Sequence, residues 1–189
     1  MRALEVGPGR HPARDDEDGY DWDFLEHPDE QLQLVAASPP LFCIWGEQPI
    51  PAEAETYDLF YASHVLEHVP WPNTAAALAE AFRVLKPGGE IELWVPNFEY
   101  LVECYLHGRC GDDWRHKNPE GDPMLWLNGR IFTYGPGPNW HRACFDTASL
   151  TKAVLAAGFS FCTRLDPWEE ERGAKHGPIS LGIRAQRKA

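Results

Sequence analysis

Three short segments of this chain carry residue types that can hold and work on a ligand. The first is Leu4-Glu5-Val6-Gly7-Pro8-Gly9, an apolar strand-like run closed by two glycines, which let the backbone turn tightly and approach a ligand without Cβ obstruction. About 20 residues further on stands Glu26, an acid at the end of a second strand-like run, where a carboxylate can accept hydrogen bonds from ribose hydroxyls. The third runs Tyr57-Asp58-Leu59-Phe60-Tyr61-Ala62-Ser63-His64-Val65-Leu66-Glu67-His68-Val69, followed by Arg83-Val84-Leu85-Lys86-Pro87-Gly88-Gly89.

Two histidines stand out as acid–base candidates, because an imidazole titrates near neutral pH. His64 follows the strand-like Tyr57–Ala62, and His141 lies in Asn139-Trp140-His141-Arg142 ahead of an Asp146-capped helix. In His64-x-x-Glu67-His68, positions i, i+3 and i+4 share one face of a helical turn, so the three side chains could converge on a divalent cation.

The elements that must position these groups alternate. Strands are expected at Ala3–Val6, Tyr20–Leu25, Leu41–Trp45, Tyr57–Ala62, Glu90–Val95, Phe159–Leu165 and Ile179–Arg184. Helices are expected at Asp29–Ala37, after an Asn73 cap with Leu78, Phe82 and Leu85 at helical spacing, and over Thr147–Ala157 between Asp146 and Gly158. Lys86-Pro87-Gly88-Gly89 reads as a structural turn that touches no substrate. Alternation of this kind implies a mostly parallel sheet covered on both faces. Phe98–Arg142 carries aromatics, glycines and prolines without a clean period and reads as a lid or binding wall, with Tyr100, Tyr134 and Trp140 as pocket candidates.

On these segments the chain resembles the class I S-adenosylmethionine-dependent methyltransferases, most closely the small bacterial type with "SHVLEHV" and "RVLKPGG". The resemblance covers Leu4 to about Pro96, and Asn139 to Phe159 more loosely. It implies one α/β domain over 1–189, a Rossmann-like three-layer sandwich with a mostly parallel sheet of about seven strands, and an insertion at about 98–142. It further implies S-adenosyl-L-methionine as cofactor, with S-adenosyl-L-homocysteine as product. Glu5, Gly7, Pro8 and Gly9 would surround the methionine part, Glu26 the ribose, and Trp45 and Gly46 the adenine. Ser63 and His64 would sit nearest the methyl group, and His64 and His141 are the catalytic candidates. The third small residue usual in the first loop is replaced by His11, and the chain starts at the first strand without the N-terminal helix that often covers the cofactor. Some relatives, the ubiquinone-pathway and small-RNA O-methyltransferases, hold a metal with Glu-x-x-Glu-His at the His64–His68 position and a further histidine. Here His64 replaces the first Glu, His141 is a candidate fourth ligand, and many metal-free relatives pack the histidine inside; no metal is expected.

The expected activity is methyl transfer to an oxygen or nitrogen of a small-molecule acceptor. A binding module that keeps the cofactor pocket without turnover is the alternative, and a nucleic-acid methyltransferase the second. The net charge of −12 argues against the latter, since phosphate contacts need a basic surface, and Trp94-Val95-Pro96-Asn97 lacks the Asn/Asp-Pro-Pro-aromatic set of base-amine methylation. Pro12 at the third glycine position of Gly7-Pro8-Gly9-Arg10-His11-Pro12 argues against a nicotinamide-binding domain. No apolar run approaches the roughly 18–20 residues a bilayer span requires, and no signal-peptide core precedes the first strand, so a cytoplasmic protein is expected. The five cysteines form no C-x-x-C pair and read as reduced thiols. Oligomeric state is left open.

Overall fold

The computed structural model describes residues 1–8, 12–13, 19–27, 41–110, 121–133, 140–172 and 175–189. Seven strands form one sheet: β1 (Arg2–Val6), β2 (Asp21–Glu26), β3 (Leu41–Phe42), β4 (Tyr57–Ser63), β5 (Leu85–Pro96), β6 (Phe159–Leu165) and β7 (Ser180–Arg187). The order across the sheet is β3-β2-β1-β4-β5-β7-β6. Pairing is parallel from β3 through β5, whereas β7 runs antiparallel to both β5 and β6. Six strands are full-length and β3 is a two-residue remnant, so the expected mostly parallel α/β sheet holds. The chain reverses its strand order between β1 and β4, and in open α/β sheets ligands bind at such a reversal, beyond the carboxyl ends of the strands.

Alternation along each strand divides the core. Leu4, Val6, Phe60, Ala62, Leu93 and Val95 face one layer, where α1 (Thr74–Val84) and α4 (Thr147–Ala156) supply Ala77, Leu78, Ala81, Leu150 and Val154. The opposite face buries Tyr61 and Trp94 with Ala13 and Leu165. It also buries Glu92, which accepts a hydrogen bond from the Trp94 indole at 3.0 Å and another from Arg184 at 3.1 Å. The expected helix over 29–37 lies outside the described residues. Among those described, no helix is long and apolar enough to cross a membrane.

Several local expectations are corrected. Leu85 starts β5 instead of ending the helix, and Asn73 makes no side-chain cap bond. Lys86-Pro87-Gly88-Gly89 is not a free turn but an irregularity within β5, where the register with β4 slips between Tyr57 and Leu59. Trp45 lies outside β3 in an isolated bridge to Gln48. The aperiodic stretch contains two helices, α2 (Phe98–Leu106) and α3 (Pro123–Phe132). Side-chain caps start both: Asn97 accepts from the Tyr100 amide, and Asp122 accepts from the amides of Met124 and Leu125. They bury Leu101, Cys104 and Trp126 against each other in a small core of their own. The mutual packing of two short faces, not a strong period in either, makes them helices.

Candidate active site

The site forms where β1, β2, β4 and β5 end. Glu5 is buried, and both of its carboxyl oxygens accept from the Ala13 amide, at 3.0 and 2.9 Å. Burial pushes the Glu5 carboxyl up to about 8, only partly countered by that bond. Gly7 closes β1 with φ +64°, and a Cβ there would meet the Val65 side chain at 2.6 Å, so the bend packs directly on the segment after β4. Glu26 ends β2 with its side chain buried, and Pro8 is buried beside the same edge. Gly9 and His11 lie outside the described residues.

Trp45 is a core residue: its indole N–H donates to the Ala77 carbonyl at 2.8 Å, and its ring packs on Phe60 at 5.4 Å between centroids. Its position is accounted for without a ligand. Gly46 follows at φ +87° with Val69 filling the space of a Cβ. Two acidic side chains on adjacent strand ends suit the two hydrogen-donating ends of an adenosyl amino acid, its ribose diol and its ammonium. The residue types present are therefore compatible with S-adenosylmethionine.

Ser63 ends β4 and His64 leaves it with φ +55°, a left-handed backbone uncommon outside glycine. The bend lets the chain drop from the strand edge into a single 3₁₀ turn, Leu66–His68, so His64 is not on one helical turn with Glu67 and His68 as expected. The Glu67 carbonyl then accepts from the amides of Arg142 (2.7 Å) and Ala143 (3.0 Å), which draws His141 over the turn. His141 Nε2 lies 3.9 Å from Glu67 Oε1, and the His68 and His141 rings meet edge-on at 4.9 Å. Burial lowers the His141 imidazole below its ordinary range, although Glu67 pulls the other way. Glu67 is fully buried. Desolvation opposes its charge, yet the nearness of the His64, His68 and His141 rings holds its carboxyl below the usual value.

Three residues that sequence reasoning missed complete the cluster. The loop between β6 and β7 buries Glu171, and asparagine contacts seat that loop at the end of β5: Asn97 donates its amide to Ile179 O and its side-chain NH₂ to Pro178 O. Glu171 Oε1 accepts from His176 Nδ1 (2.9 Å), Ser180 Oγ (3.1 Å) and Ser63 Oγ (3.3 Å), and Oε2 accepts from the His176 amide (2.8 Å). His64 Nε2 lies 2.7 Å from Ser180 Oγ, and its ring stacks 4.2 Å from that of His176. No sequence signal ties residue 171 to residue 64; only the β5–β7 pairing brings Ser180 opposite Pro96, beside the end of β4.

A cavity of about 240 Å³ opens over this cluster, lined by His64, Glu67, His68, His141 and His176 and by Arg130 of α3. The structure thus brings His64 and His141 into one pocket, and places Glu5, Gly7 and Glu26 along the neighbouring strand ends. Trp140 is exposed, Tyr100 packs against the α2–α3 core, and Tyr134 lies outside the described residues.

A methyltransferase-domain family model matches residues 24–93. No curated protein matches the chain. Among solved structures, a possible histamine N-methyltransferase from Thermotoga maritima is 21% identical over 99% of this chain and 82% of its own, with a TM-score of 0.57. A SAM-dependent methyltransferase from Archaeoglobus fulgidus is 13% identical over 98% and 85%, with a TM-score of 0.61. The CurJ carbon methyltransferase is 15% identical at a TM-score of 0.57, and this chain spans about half (49%) of its length.

Proposed function

We propose that this chain is a class I S-adenosylmethionine-dependent methyltransferase that moves a methyl group to an oxygen or nitrogen of a small acceptor, a reading supported by the methyltransferase-domain match over residues 24–93 and by the fold of the structural neighbours. We read residues 1–189 as one such domain, with 98–142 shaping the acceptor side. The observation that carries the reading is the cavity of about 240 Å³ at the ends of β4 and β5, next to the strand ends that bear Glu5 and Glu26. Its size is that of a small molecule or part of one, and its wall contains an imidazole whose affinity for protons is lowered by burial.

The cofactor supplies an electrophilic methyl on sulfonium. In this reading Glu26 accepts from its ribose hydroxyls and Glu5 faces its ammonium. His141 takes the proton that a hydroxyl or ammonium acceptor must lose, because its lowered affinity for protons leaves it free at neutral pH. Leu101 of α2 and Gly129 and Arg130 of α3 line the pocket on the acceptor side.

The test is calorimetry with S-adenosylmethionine and S-adenosylhomocysteine, followed by a screen of hydroxylated and amine acceptors for S-adenosylhomocysteine release. Turnover on a small acceptor supports the reading. Binding without turnover on any acceptor makes the chain a binding module instead.

A further inference from the structure

Among the described residues, two groups of side chains can each surround a cation: His64, Glu171 and His176, and next to them Glu67, His68 and His141. Within each, the ligand atoms lie within 4.8 Å of one another. We propose that the first group, His64–Glu171–His176, is a binding site for a divalent transition-metal ion of the zinc type, with Glu67 as the outer carboxylate that orients His64.

The argument starts from counting hydrogens. Ser180 Oγ stands 2.7 Å from His64 Nε2 and 3.1 Å from Glu171 Oε1, and a hydroxyl has one hydrogen to give. Glu171 Oε1 also takes hydrogen bonds from Ser63 Oγ and the His176 ring, which makes it an acceptor. The Ser180 hydrogen therefore goes to Glu171, and His64 Nε2 must be the donor to Ser180. With Nε2 so engaged, Nδ1 of His64 faces Glu67 Oε1 at 3.3 Å. Neither oxygen of the fully buried Glu67 has a donor in hydrogen-bonding geometry among the described residues. Such a buried carboxylate costs free energy until something donates to it.

A metal on His64 Nε2 resolves this. The metal takes the Nε2 lone pair, the ring hydrogen moves to Nδ1, and Nδ1–H then donates to Glu67. The result is the carboxylate–histidine–metal arrangement by which proteins fix the tautomer of a ligating imidazole.

The other two ligands are placed for it. His176 Nδ1 and Glu171 Oε1 are 2.9 Å apart, and His64 Nε2 is 3.7 Å from the same oxygen. These separations bracket the roughly 3.3 Å between neighbouring ligands of a tetrahedral zinc. Glu171 Oε2 is pinned by the His176 amide, so the carboxylate is held in place while Oε1 turns to the ion. His64 and His176 both line the cavity, which leaves a coordination position open to water or to an acceptor oxygen. Two imidazoles and one carboxylate favour zinc, cobalt or nickel over magnesium, whose octahedral shell is built from oxygen.

The site adjoins the acceptor pocket of the proposed methyl transfer, but its test needs neither cofactor nor turnover. The full chain is stripped with chelator, dialysed, and titrated with Zn²⁺ by calorimetry and with Co²⁺ by visible absorption. One equivalent should bind, with Co²⁺ giving the intense bands of a four- or five-coordinate site. His176→Ala and Glu171→Gln should weaken Zn²⁺ at least 100-fold, and Glu67→Gln about 10- to 100-fold. His68→Ala and His141→Ala should change it less than threefold. Imidazole NMR of the unmutated chain supplies a readout independent of variant folding: Zn²⁺ should leave His64 protonated on Nδ1. Failure to bind either ion overturns the proposal and makes the cluster a hydrogen-bond network only. Loss of binding in His68→Ala and His141→Ala with retention in His176→Ala overturns it in favour of the neighbouring triad. S-adenosylhomocysteine binding by the stripped protein is measured separately, so the methyltransferase reading stands or falls on its own.

Discussion

The Ala13 amide donates to both carboxyl oxygens of Glu5, tying the loop after β1 back onto the strand that precedes it. Glu5 is nonetheless buried deeply enough that its carboxyl titrates at about 8. An ammonium group beside it must therefore draw a proton off Glu5 before the two can pair. Affinity for S-adenosylhomocysteine is expected to rise from pH 6 to about 8, with a proton released per ligand bound. Calorimetry in buffers of different ionisation enthalpy measures both quantities. A flat profile would separate Glu5 from the ligand.

The same group has a stability consequence of opposite sense to the usual salt-bridged acid. A carboxyl whose folded value lies above its unfolded 4.5 favours the fold below 4.5, and that contribution is lost as pH rises through about 8. Glu5→Gln should therefore gain in melting temperature relative to the parent between pH 5 and 8. The gain is on the order of a few kcal/mol at most. Parallel melting curves for the two proteins across that range check it.

Removal of the acid at the end of β2 should act on the ligand and not on the core. Glu26→Gln is expected to weaken S-adenosylhomocysteine about 10- to 100-fold, corresponding to hydrogen bonds to a charged group of roughly 1.5–3 kcal/mol. Calorimetry on Glu26→Gln with a melting control distinguishes this from unfolding.

His141 is expected to set the acid limb of the rate profile. Because burial lowers its imidazole from 6.5, kcat should fall only below pH 6.5 and stay level through neutrality. His141→Asn should lower kcat about 10²- to 10⁴-fold with KM for the cofactor unchanged. Activity surviving in that variant would transfer the role to another group.

One packing contact lends itself to a stability measurement away from the site. Gly182 of β7 lies opposite Trp94 of β5, and a Cβ on it would collide with the indole ring. Trp94 is fully buried and anchored to Glu92, so it cannot swing aside. Gly182→Ala should cost about 1–3 kcal/mol. The melting temperature should fall about 2–4 °C per kcal/mol, with cofactor binding intact below the transition.

Where local chemistry alone dictates conformation, the chain is legible without its structure. Phe159–Leu165 is a strand at both ends as expected, and Asp146 caps α4 with a reciprocal bond to Ser149. Tyr57–Ala62 needed only the addition of Ser63. Leu85 was misread because it satisfies a helical period while its backbone is claimed by Tyr57 of the neighbouring strand. Phe98–Leu106 and Pro123–Phe132 were missed because each buries only a few residues, and those against the other helix.

From the order of residues alone came the alternation of strands and helices, the bend at Gly7, the acid at Glu26 and the two histidines worth watching. These are properties of neighbours along the chain, where spacing and side-chain type are sufficient. Tertiary structure alone decided that Glu171, His176 and Ser180 join His64, and that His141 bends over Glu67. Those partners lie 74 to 116 positions apart, and a meeting at that distance depends on which strands pair and in what register.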